Sequence, residues 1–499
     1  MRPFHNPVLS GFHPDPSICR VGDTYYLATS SFEYLPGLPI YESTDLRNWR
    51  LSGHVGDRPG QIAAEQTPTG AGAWAPTIRH HDGRFWLVIT IVGQGAVVYT
   101  AERAAGPWSD PVSFAGLNGI DPDIAWDAAG NCYITFSGLI LSGEEAGKHL
   151  GIQQVRVNPL TGELLEEPRS LWSGTGHMFP EAPHLYEIAG TWYLMIAEGG
   201  TERGHGVSIA RGNSPMGPFE AHPANPVLSA RSTSRPIQNT GHGDLVQTPD
   251  GDWLMFMLGM RTRGGTRAFS PMGRETFATT LTWVDGWPVV EPVLLDDPAP
   301  AVSEVDGFTS PTLDEHWIGV RRFPATIADL SSRFGWLTML ADGGMDAQQP
   351  CFVGQRQRHE LMNLTTLVDV GNGAGGLALR IDEEMWVAVV ADGEQVRVQV
   401  KLAQITKEWT QPWSANEVVL YIETTHSQGF IFGPAMHAPD TIHLGYFDGD
   451  EKREVAAIDG RYICAETGAS FVGRAWGLFA EQGTVAFDWV EYEGVDGTR

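Results

Sequence analysis

Short stretches of alternating apolar and polar residues dominate the chain, and most of them are bounded by Gly, Asp or Pro. Tyr-Tyr-Leu-Ala-Thr (25–29) and Phe-Trp-Leu-Val-Ile-Thr-Ile (85–91) are two examples. Strand-like runs bounded by turn-forming residues predict β-strands. Helical periodicity is scarce. The pattern therefore predicts an all-β protein.

One turn, ending in glycine and followed by an aromatic or Cys-Tyr strand, occurs five times in the first half of the chain. Its glycines are Gly22, Gly83, Gly130, Gly190 and Gly251, spaced by 61, 47, 60 and 61 residues. A repeat of this length, built of strands and tight turns, predicts a radial β-architecture. We therefore expect a β-propeller with five blades.

Five residues precede these turns at similar distances: Asp15, Trp74, Asp121, Glu181 and His242. We interpret them as equivalent positions on the innermost strands of the five blades. Innermost strands of a propeller surround one central channel. The prediction is that residues scattered along the chain converge into one polar site with three carboxyl groups and a histidine.

The repeat stops soon after Trp287-Pro288, and the chain then becomes rich in proline and acidic residues from Glu291 to Ala301. That composition is typical of an extended spacer. We predict a propeller over 1–295, a linker over 296–304 and a second domain over 305–499. The second domain holds predicted strands such as 385–391 and 395–402, joined through Asp392-Gly393, which favour a β-sandwich of the jelly-roll or concanavalin-like type.

The charge balance restricts the partners. With 33 Lys and Arg against 60 Asp and Glu, the formal net charge is −27. This charge disfavours nucleic acid, anionic membrane surfaces and phosphate-rich ligands. It favours a neutral substrate, and 17 Trp residues would supply surfaces on which sugar rings can stack, although most Trp side chains serve core packing.

Two further features concern cysteine and location. The four cysteines are widely separated, with no zinc or redox spacing, so Cys19 and Cys132 are predicted to be small buried apolar residues. The N-terminus has no apolar signal region, and no apolar stretch of about 18 residues occurs. We expect a cytoplasmic protein, and a homo-oligomer is compatible with the sequence.

The three carboxyl groups point to acid–base chemistry. Hydrolysis of a glycosidic bond needs one carboxylic acid and one carboxylate, and a third acid can raise the pKa of the donor. Asp15 and Asp121 each precede a proline, and each alone would be read as a turn residue. Glu181 lies between apolar and proline residues, which a solvated surface does not explain.

Other residues near the repeats have more than one interpretation. His242 could bond a sugar hydroxyl, orient a carboxylate or help to bind a cation. Trp74 could stack on a sugar or pack between blades. Arg274 could clamp a substrate, or pair with Glu275 or a catalytic acid.

Several motifs together resemble family 43 of the glycoside hydrolases, and more narrowly its two-domain β-xylosidase group. They are His-Pro-Asp-Pro-Ser, Ala-Trp-Ala-Pro, Gly-Ile-Asp-Pro, Pro-Glu-Ala-Pro-His-Leu-Tyr, Ala-Glu-Gly-Gly-Thr (197–201), Gly-His-Gly-Asp-Leu-Val and Gly-Arg-Glu-Thr. The resemblance extends over essentially the whole chain. It implies a five-bladed propeller with an inverting active site on its axis.

The resemblance also implies roles for individual residues. Asp15 would be the general base, Asp121 the acid that tunes pKa and orientation, and Glu181 the general acid. Phe32, Trp74 and Arg274 would shape the site of the terminal sugar, and Phe471 of the second domain would close it. Some members hold a calcium ion on the axis, beside a histidine that matches His242, and no cofactor is otherwise implied.

Two departures from the family pattern affect the sugar more than the chemistry. Asp123 adds a second acid two positions after Asp121, and the apolar stretch 254–257 replaces a more polar one. The resulting hypothesis is an inverting exo-glycosidase that releases terminal xylose from β-1,4-xylo-oligosaccharides. Inversion implies that the carboxyl groups of Asp15 and Glu181 lie roughly 6.5–9.5 Å apart.

Four alternatives remain open at this stage. An α-L-arabinofuranosidase, or an enzyme with both activities, would change only the sugar. A sugar-binding propeller without catalysis would have lost an acid, and a protein-binding scaffold would not align acids on its axis. A retaining fructan hydrolase would release the opposite anomer. If the protein is an enzyme, its expected partner is a small oligosaccharide substrate.

Overall fold

The computed structural model describes residues 2–263, 269–427, 438–468 and 470–497. Within these ranges the chain is almost entirely β-structure, which confirms the predicted fold class. The helical elements described are the α-helix Ala465–Gly468 and the 3-10 turns Pro324–Thr326 and Gly460–Ile463. None of the described helices has the length and apolar character needed to cross a membrane.

Residues 17–290 form five separate antiparallel sheets, the five blades of a propeller. Blade 1 contains Ser17–Val21, Thr24–Ala28, Leu38–Ser43 and Arg50–Val55. Blade 2 contains Ala73–His81, Arg84–Ile91, Gly95–Ala101 and Val112–Ser113. Blade 3 contains Ile120–Trp126, Cys132–Leu139, His149–Asn158, Glu163–Leu164 and Arg169–Trp172. Blade 4 contains Glu181–Ile188, Thr191–Glu198, Gly206–Gly212, Glu220–Ala221 and Leu228–Ser229. Blade 5 contains Ile237–Gln247, Trp253–Arg261, Glu275–Val284 and Trp287–Val290.

The N-terminal segment packs on blade 5. Leu9 forms a bridge with Thr276, and the Asn6 side chain exchanges two hydrogen bonds of 2.8 Å with the backbone of Ala278. These bonds hold the start of the chain beside the last blade. Asp15, which follows directly, is thereby brought to the axis next to residues more than 200 positions away.

The second domain is built around one large sheet of fourteen described strands. Its strands are Tyr34–Leu35 of the propeller, Val302–Asp306, Ile318–Val320, Ala328–Asp329, Leu337–Leu340, Phe352–Arg356, Leu361–Arg380, Met385–Ala391, Gln395–Leu402, Ile405–Pro412, Glu417–Thr425, Thr441–Asp448, Glu451–Asp459 and Ala475–Val495. The predicted strands 385–391 and 395–402 form an antiparallel hairpin. The chain pairs with the last strand of this sheet from Val302 onwards.

Two strands of the second domain are much longer than the sequence pattern indicated. Leu361–Arg380 and Ala475–Val495 pair with each other along nearly their full length, with three shifts of register. The glycines between 371 and 376 break the alternation that would identify one continuous strand. Adding a Cβ at Gly373 or Gly376 would bring it within 2.2 Å of a neighbouring backbone oxygen, so close strand approach requires glycine there.

The two domains share a hydrophobic core. Phe12, Phe32 and Tyr34 of the propeller are buried in the same cluster as the sandwich residues. The short strand Tyr34–Leu35 pairs with Ile318–Val320, and buried Arg321 donates to the Thr67 carbonyl at 2.7 Å. The sandwich is therefore fixed against blades 1 and 2, on the side where Phe32 lies.

Candidate active site

Each blade has a non-glycine residue in the left-handed region at the same place, within its innermost strand or, in blade 1, two residues before it. These residues are Asp15 (φ 56°), Ala75 (φ 43°), Asp121 (φ 53°), Ala182 (φ 49°) and His242 (φ 52°). In blades 2 to 5 the pairing with the next strand shifts at the same place, as at a β-bulge. The five residues are the structurally equivalent positions of the repeat.

This equivalence corrects the alignment made from the sequence. Trp74 and Glu181 do not share the register of Asp15, Asp121 and His242, but come one residue earlier, before Ala75 and Ala182. The sequence spacing varies by a residue or two between blades, so it could not resolve this shift.

Asp15 is held in its ionised form. Its Oδ1 accepts a hydrogen bond from Arg274 Nη1 at 3.0 Å, and its Oδ2 accepts one of 2.6 Å from the Ser30 hydroxyl. His242 Nδ1 lies 3.5 Å from Oδ1. Burial raises the pKa of Asp15, but the charge of Arg274 and the hydrogen bond from Ser30 act in the opposite direction, and the net shift is downward. An ionised carboxylate is what a general base requires.

Glu181 is in the opposite state. It is half-buried at the start of its strand, and burial raises its pKa well above the usual value, with further contributions from the charges of Asp121 and Asp15. Arg274 opposes this rise but does not cancel it. The raised pKa suits Glu181 to the role of proton donor.

Asp121 connects the other two acids. Burial and the nearby Asp15 raise its pKa to about 7, while the Ala182 N–H and Arg274 lower it. Its Oδ2 accepts a hydrogen bond of 3.0 Å from the backbone N–H of Ala182, the residue after Glu181. Asp121 thus fixes the backbone that carries Glu181 and also contributes to the raised pKa of that residue.

Arg274 pairs with Asp15, the candidate general base, rather than with Glu275, its neighbour in sequence. Besides Asp15, its Nη1 donates to Thr201 Oγ1 at 3.2 Å, and Nε and Nη2 donate to the Phe471 carbonyl at 3.3 and 3.2 Å. Glu275 instead accepts from Arg261 at 2.8 Å. One guanidinium group therefore joins the propeller axis to the second domain.

Three aromatic residues form one wall of the site. Phe471 of the second domain stacks on Phe32 with ring centroids 6.3 Å apart and meets Trp74 edge-on at 5.6 Å. Phe471 is 37% exposed whereas Phe32 is 2% exposed. The Trp74 indole N–H is already bonded to the Gly70 carbonyl at 2.9 Å, so its polar edge is occupied. Of the two stacked phenyl rings, Phe471 presents the larger open surface.

The loop that carries Phe471 is anchored to both domains. Arg474 is fully buried and forms a paired hydrogen bond with Asp440 at 2.6 and 2.8 Å, and its backbone N–H donates to the Pro271 carbonyl. Gly473 touches the backbone of Met272 and Gly273 so closely that a Cβ would lie 2.1 Å from the Met272 oxygen. The position of Phe471 is therefore set by the scaffold.

His242 contributes as a neutral group. Burial lowers its pKa to about 3, despite the opposing effect of Asp15. A neutral imidazole beside Asp15 can orient the carboxylate without adding charge. No group of three or more His, Cys, Asp or Glu side chains among the described residues is arranged to hold a metal ion.

Some residues of the site were not identified from the sequence. Ser30 donates to Asp15 and accepts from the Ala75 N–H at 2.7 Å, which ties blade 1 to blade 2. Thr201 accepts a hydrogen bond from Arg274, and buried His205 Nδ1 donates to the Asn239 carbonyl at 2.9 Å. Thr201 is the last residue of the motif Ala-Glu-Gly-Gly-Thr (197–201), but nothing in the local sequence marks Ser30 or His205.

Comparison with known families accounts for both domains. Residues 4–288 match the family model "Glycosyl hydrolases family 43", and residues 305–493 match "Beta xylosidase C-terminal Concanavalin A-like domain". The second match agrees with the sandwich observed after Val302.

Similar proteins bear related names. The chain is 39% identical to "Non-reducing end alpha-L-arabinofuranosidase BoGH43B" of Bacteroides ovatus, over 76% of this chain and 74% of that protein. It is 33% identical to "Putative beta-xylosidase" of Escherichia coli K12, over 78% and 79%. Among solved structures, xylan beta-1,4-xylosidase from Bacillus halodurans C-125 is 26% identical, with a TM-score of 0.87 over 98% of this chain and 100% of that one.

The family model covers more than half of the chain, and the relatives extend over both domains. The chain therefore belongs to family 43 of the glycosyl hydrolases, and it is a glycoside hydrolase built from a five-bladed propeller and a concanavalin-like sandwich.

Proposed function

We propose that the protein is an inverting exo-glycosidase that releases terminal xylose from β-1,4-xylo-oligosaccharides. The observation that carries this proposal is the contrast between the surroundings of two carboxyl groups at one axis. Arg274 and Ser30 donate hydrogen bonds to Asp15 and lower its pKa, whereas burial and the charge of Asp121 raise the pKa of Glu181. Surroundings that shift the pKa values of two carboxyl groups in opposite directions are typical of an acid–base pair.

The reaction follows from these states. Glu181 donates its proton to the glycosidic oxygen as the bond from that oxygen to the anomeric carbon breaks. A water molecule attacks the same carbon from the opposite face, and Asp15 accepts a proton from it. The hydroxyl group of the water forms the new bond, so the anomeric configuration inverts. Asp121 holds the Glu181 backbone during this exchange through its bond to Ala182.

The Phe471 wall supports exo action. The anchored loop places an aromatic ring from the second domain over Phe32 and beside Trp74. A site closed on one side accepts the end of a chain rather than its middle. Aromatic faces also pack on the apolar faces of sugar rings, which suits a neutral substrate. The relatives named β-xylosidases support xylose as that sugar.

A second candidate is an α-L-arabinofuranosidase, or an enzyme with both activities. It is favoured by the relative named "Non-reducing end alpha-L-arabinofuranosidase BoGH43B", at 39% identity. It requires no change in the roles of Asp15, Asp121 and Glu181. The difference lies in which sugar the aromatic wall and Arg274 accept.

Paired kinetics separate these candidates. We expect kcat/KM on nitrophenyl β-D-xylopyranoside to exceed that on nitrophenyl α-L-arabinofuranoside by about tenfold or more, a difference of ~1.4 kcal/mol in transition-state binding. The reverse ratio would favour the arabinofuranosidase. Binding of xylobiose by calorimetry without any hydrolysis would favour a sugar-binding propeller. Asp15→Asn serves as the inactive control.

The stereochemistry needs its own experiment. Proton NMR of the first sugar released from a β-xyloside should show α-xylose before mutarotation. Release of β-xylose would contradict inversion and require a covalent intermediate. Cytoplasmic location and oligomeric state stay predictions, which cell fractionation and light scattering would check.

A further inference from the structure

A buried group of charged residues lies on the propeller axis, close in sequence to the left-handed residues. One member follows Ala75 by four positions, and the other two follow Asp121 and His242 by two positions each. Arg79 comes from blade 2, Asp123 from blade 3 and Asp244 from blade 5. Arg79 Nη2 donates to Asp123 Oδ1 at 2.9 Å, and Nη1 donates to Asp244 Oδ2 at 2.8 Å. The side chains of both aspartates are fully buried.

Arg79 also reaches the remaining two blades. Its Nη1 donates to Ser17 Oγ of blade 1 at 3.1 Å. Its Nη2 lies 3.0 Å from His184 Nδ1 of blade 4. One guanidinium group, with its donors in a fixed plane, therefore contacts the innermost strand of every blade.

Every oxygen of the two aspartates is used by the chain. Asp123 Oδ2 accepts from the Leu185 N–H at 2.9 Å, and Oδ1 accepts from Arg79. Asp244 Oδ2 accepts from Ser17 Oγ and Ile18 N, and Oδ1 accepts from the Tyr186 hydroxyl at 2.5 Å. Each of these bonds joins two different blades.

This arrangement does not fit an axial calcium ion. Calcium takes six to eight oxygen ligands, and the four carboxylate oxygens on this part of the axis are already bonded to donors. His184 Nε2 and His205 Nε2 are buried without a hydrogen-bond partner among the described residues, but nitrogen is a poor calcium ligand. His242 Nδ1 faces Asp15.

We propose that Arg79 is the axial cation of this propeller: its guanidinium group joins all five innermost strands and positions the catalytic carboxyl groups, and no metal ion is needed for this. The link to the site is short. Ser17 follows Asp15 by two residues, Asp123 follows Asp121 by two, and Asp244 follows His242 by two. Arg79 is thus a positioning residue, which touches no substrate.

The claim that the axis needs no metal ion is tested by calcium content and thermal stability. Neither measurement uses a substrate, so both are independent of the proposed function. After dialysis against a chelator, we expect elemental analysis to find far less than one calcium per chain and the Tm to be unchanged by EDTA. One calcium per chain, or a Tm that falls with EDTA and returns with calcium, would overturn the proposal.

Variants of Arg79 test the claim that this residue positions the catalytic carboxyl groups. Arg79→Met keeps the bulk of the stem and removes the charge, and Arg79→Lys keeps the charge without the planar fork. For Arg79→Met, at temperatures where it is folded, we expect kcat on a nitrophenyl glycoside to fall about 10- to 100-fold with a smaller change in KM, because catalytic groups displaced by about an ångström lose rate. Millimolar guanidinium chloride should restore part of kcat.

Arg84→Met is the matched control, since Arg84 is exposed at the start of the next strand and stacks on Trp86. It should keep the wild-type kcat and gain nothing from guanidinium. If Arg79→Met does not fold, Arg79→Lys decides: an intermediate kcat supports the proposal. A wild-type kcat in Arg79→Lys or in Arg79→Met, or rescue by calcium rather than guanidinium, would overturn it.

Discussion

At the scale of single residues, three carboxyl groups on one axis differ because their partners differ. Asp15 has a guanidinium and a hydroxyl donor, whereas burial and neighbouring acids dominate at Glu181. Asp121 lies between them with a pKa of about 7. The three titrate together, so a pH profile reports the group and not one residue.

The first prediction concerns Glu181→Gln. We expect a loss of about 10²- to 10⁴-fold in kcat on xylobiose, because the leaving oxygen no longer receives a proton. Nitrophenyl xyloside should lose much less, since nitrophenolate leaves without help. Steady-state kinetics on both substrates provide the measurement. Equal losses on good and poor leaving groups would show that Glu181 is not the general acid.

The second prediction concerns pH. Asp15 must be ionised, so activity falls as pH drops through its lowered pKa; Glu181 must be protonated, so activity falls as pH rises through its raised pKa. Asp121→Asn removes a charge that raises the pKa of Glu181, and the basic limb of kcat/KM should move to lower pH. Asp127→Asn, in the turn after the same strand, should leave the profile unchanged. An unmoved basic limb in Asp121→Asn would contradict this role.

At the scale of elements, loop 470–474 carries the contribution of the second domain to the site. It lies between a buried ion pair, Arg474 with Asp440, and a backbone contact with 271–273. Arg274 bonds its Phe471 carbonyl. The wall of the sugar site is therefore held by backbone contacts as much as by aromatic stacking.

The third prediction uses this contact. In Gly473→Ala, the new Cβ would meet the Met272 carbonyl at 2.1 Å, and the loop must move. We expect kcat/KM on nitrophenyl xyloside to fall about 10- to 100-fold, with a modest loss of Tm. Gly307→Ala is the control, because its Cβ would meet no atom within 4 Å. Unchanged kinetics in Gly473→Ala would mean that the loop does not shape the site.

At the scale of the whole molecule, the two domains form one folded unit. Phe12, Phe32 and Tyr34 lie in the core of the sandwich, and the strand Tyr34–Leu35 belongs to its sheet. Glu33 lies between Phe32 and Tyr34 at this joint. Its carboxylate is buried with no hydrogen-bond partner among the described residues, and burial raises its pKa to about 7 despite Arg321 and Arg380.

The fourth prediction follows from Glu33. Between the usual carboxyl pKa of about 4.5 and about 7, the unfolded chain ionises while the folded one keeps its proton. Stability therefore falls as pH rises through this window. Glu33→Gln should gain on the order of 2–3 kcal/mol relative to wild type above pH 7 and little at pH 4. Chemical denaturation at both pH values measures this, with exposed Glu144→Gln as control. A difference that does not change with pH would contradict it.

The sequence by itself determined the repeat, and with it the fold class. Strand alternation and glycine turns are local properties, so five blades and the hairpin 385–402 could be predicted from them. Asp15, Asp121 and His242 lie at equivalent positions of the repeat, as predicted. The family motifs also pointed to Glu181, Arg274 and Phe471.

Only the tertiary structure decided the exact register and the partners. A shift of one residue at Trp74 and Glu181 depends on β-bulges, which the spacing does not reveal. The contacts of Ser30 with Asp15, of Arg274 with Phe471 and of Arg79 with the innermost strands of the other four blades join residues 15 to 197 positions apart. Such contacts exist only when the ring has closed and the sandwich has docked, because they depend on distances in space that no local pattern encodes.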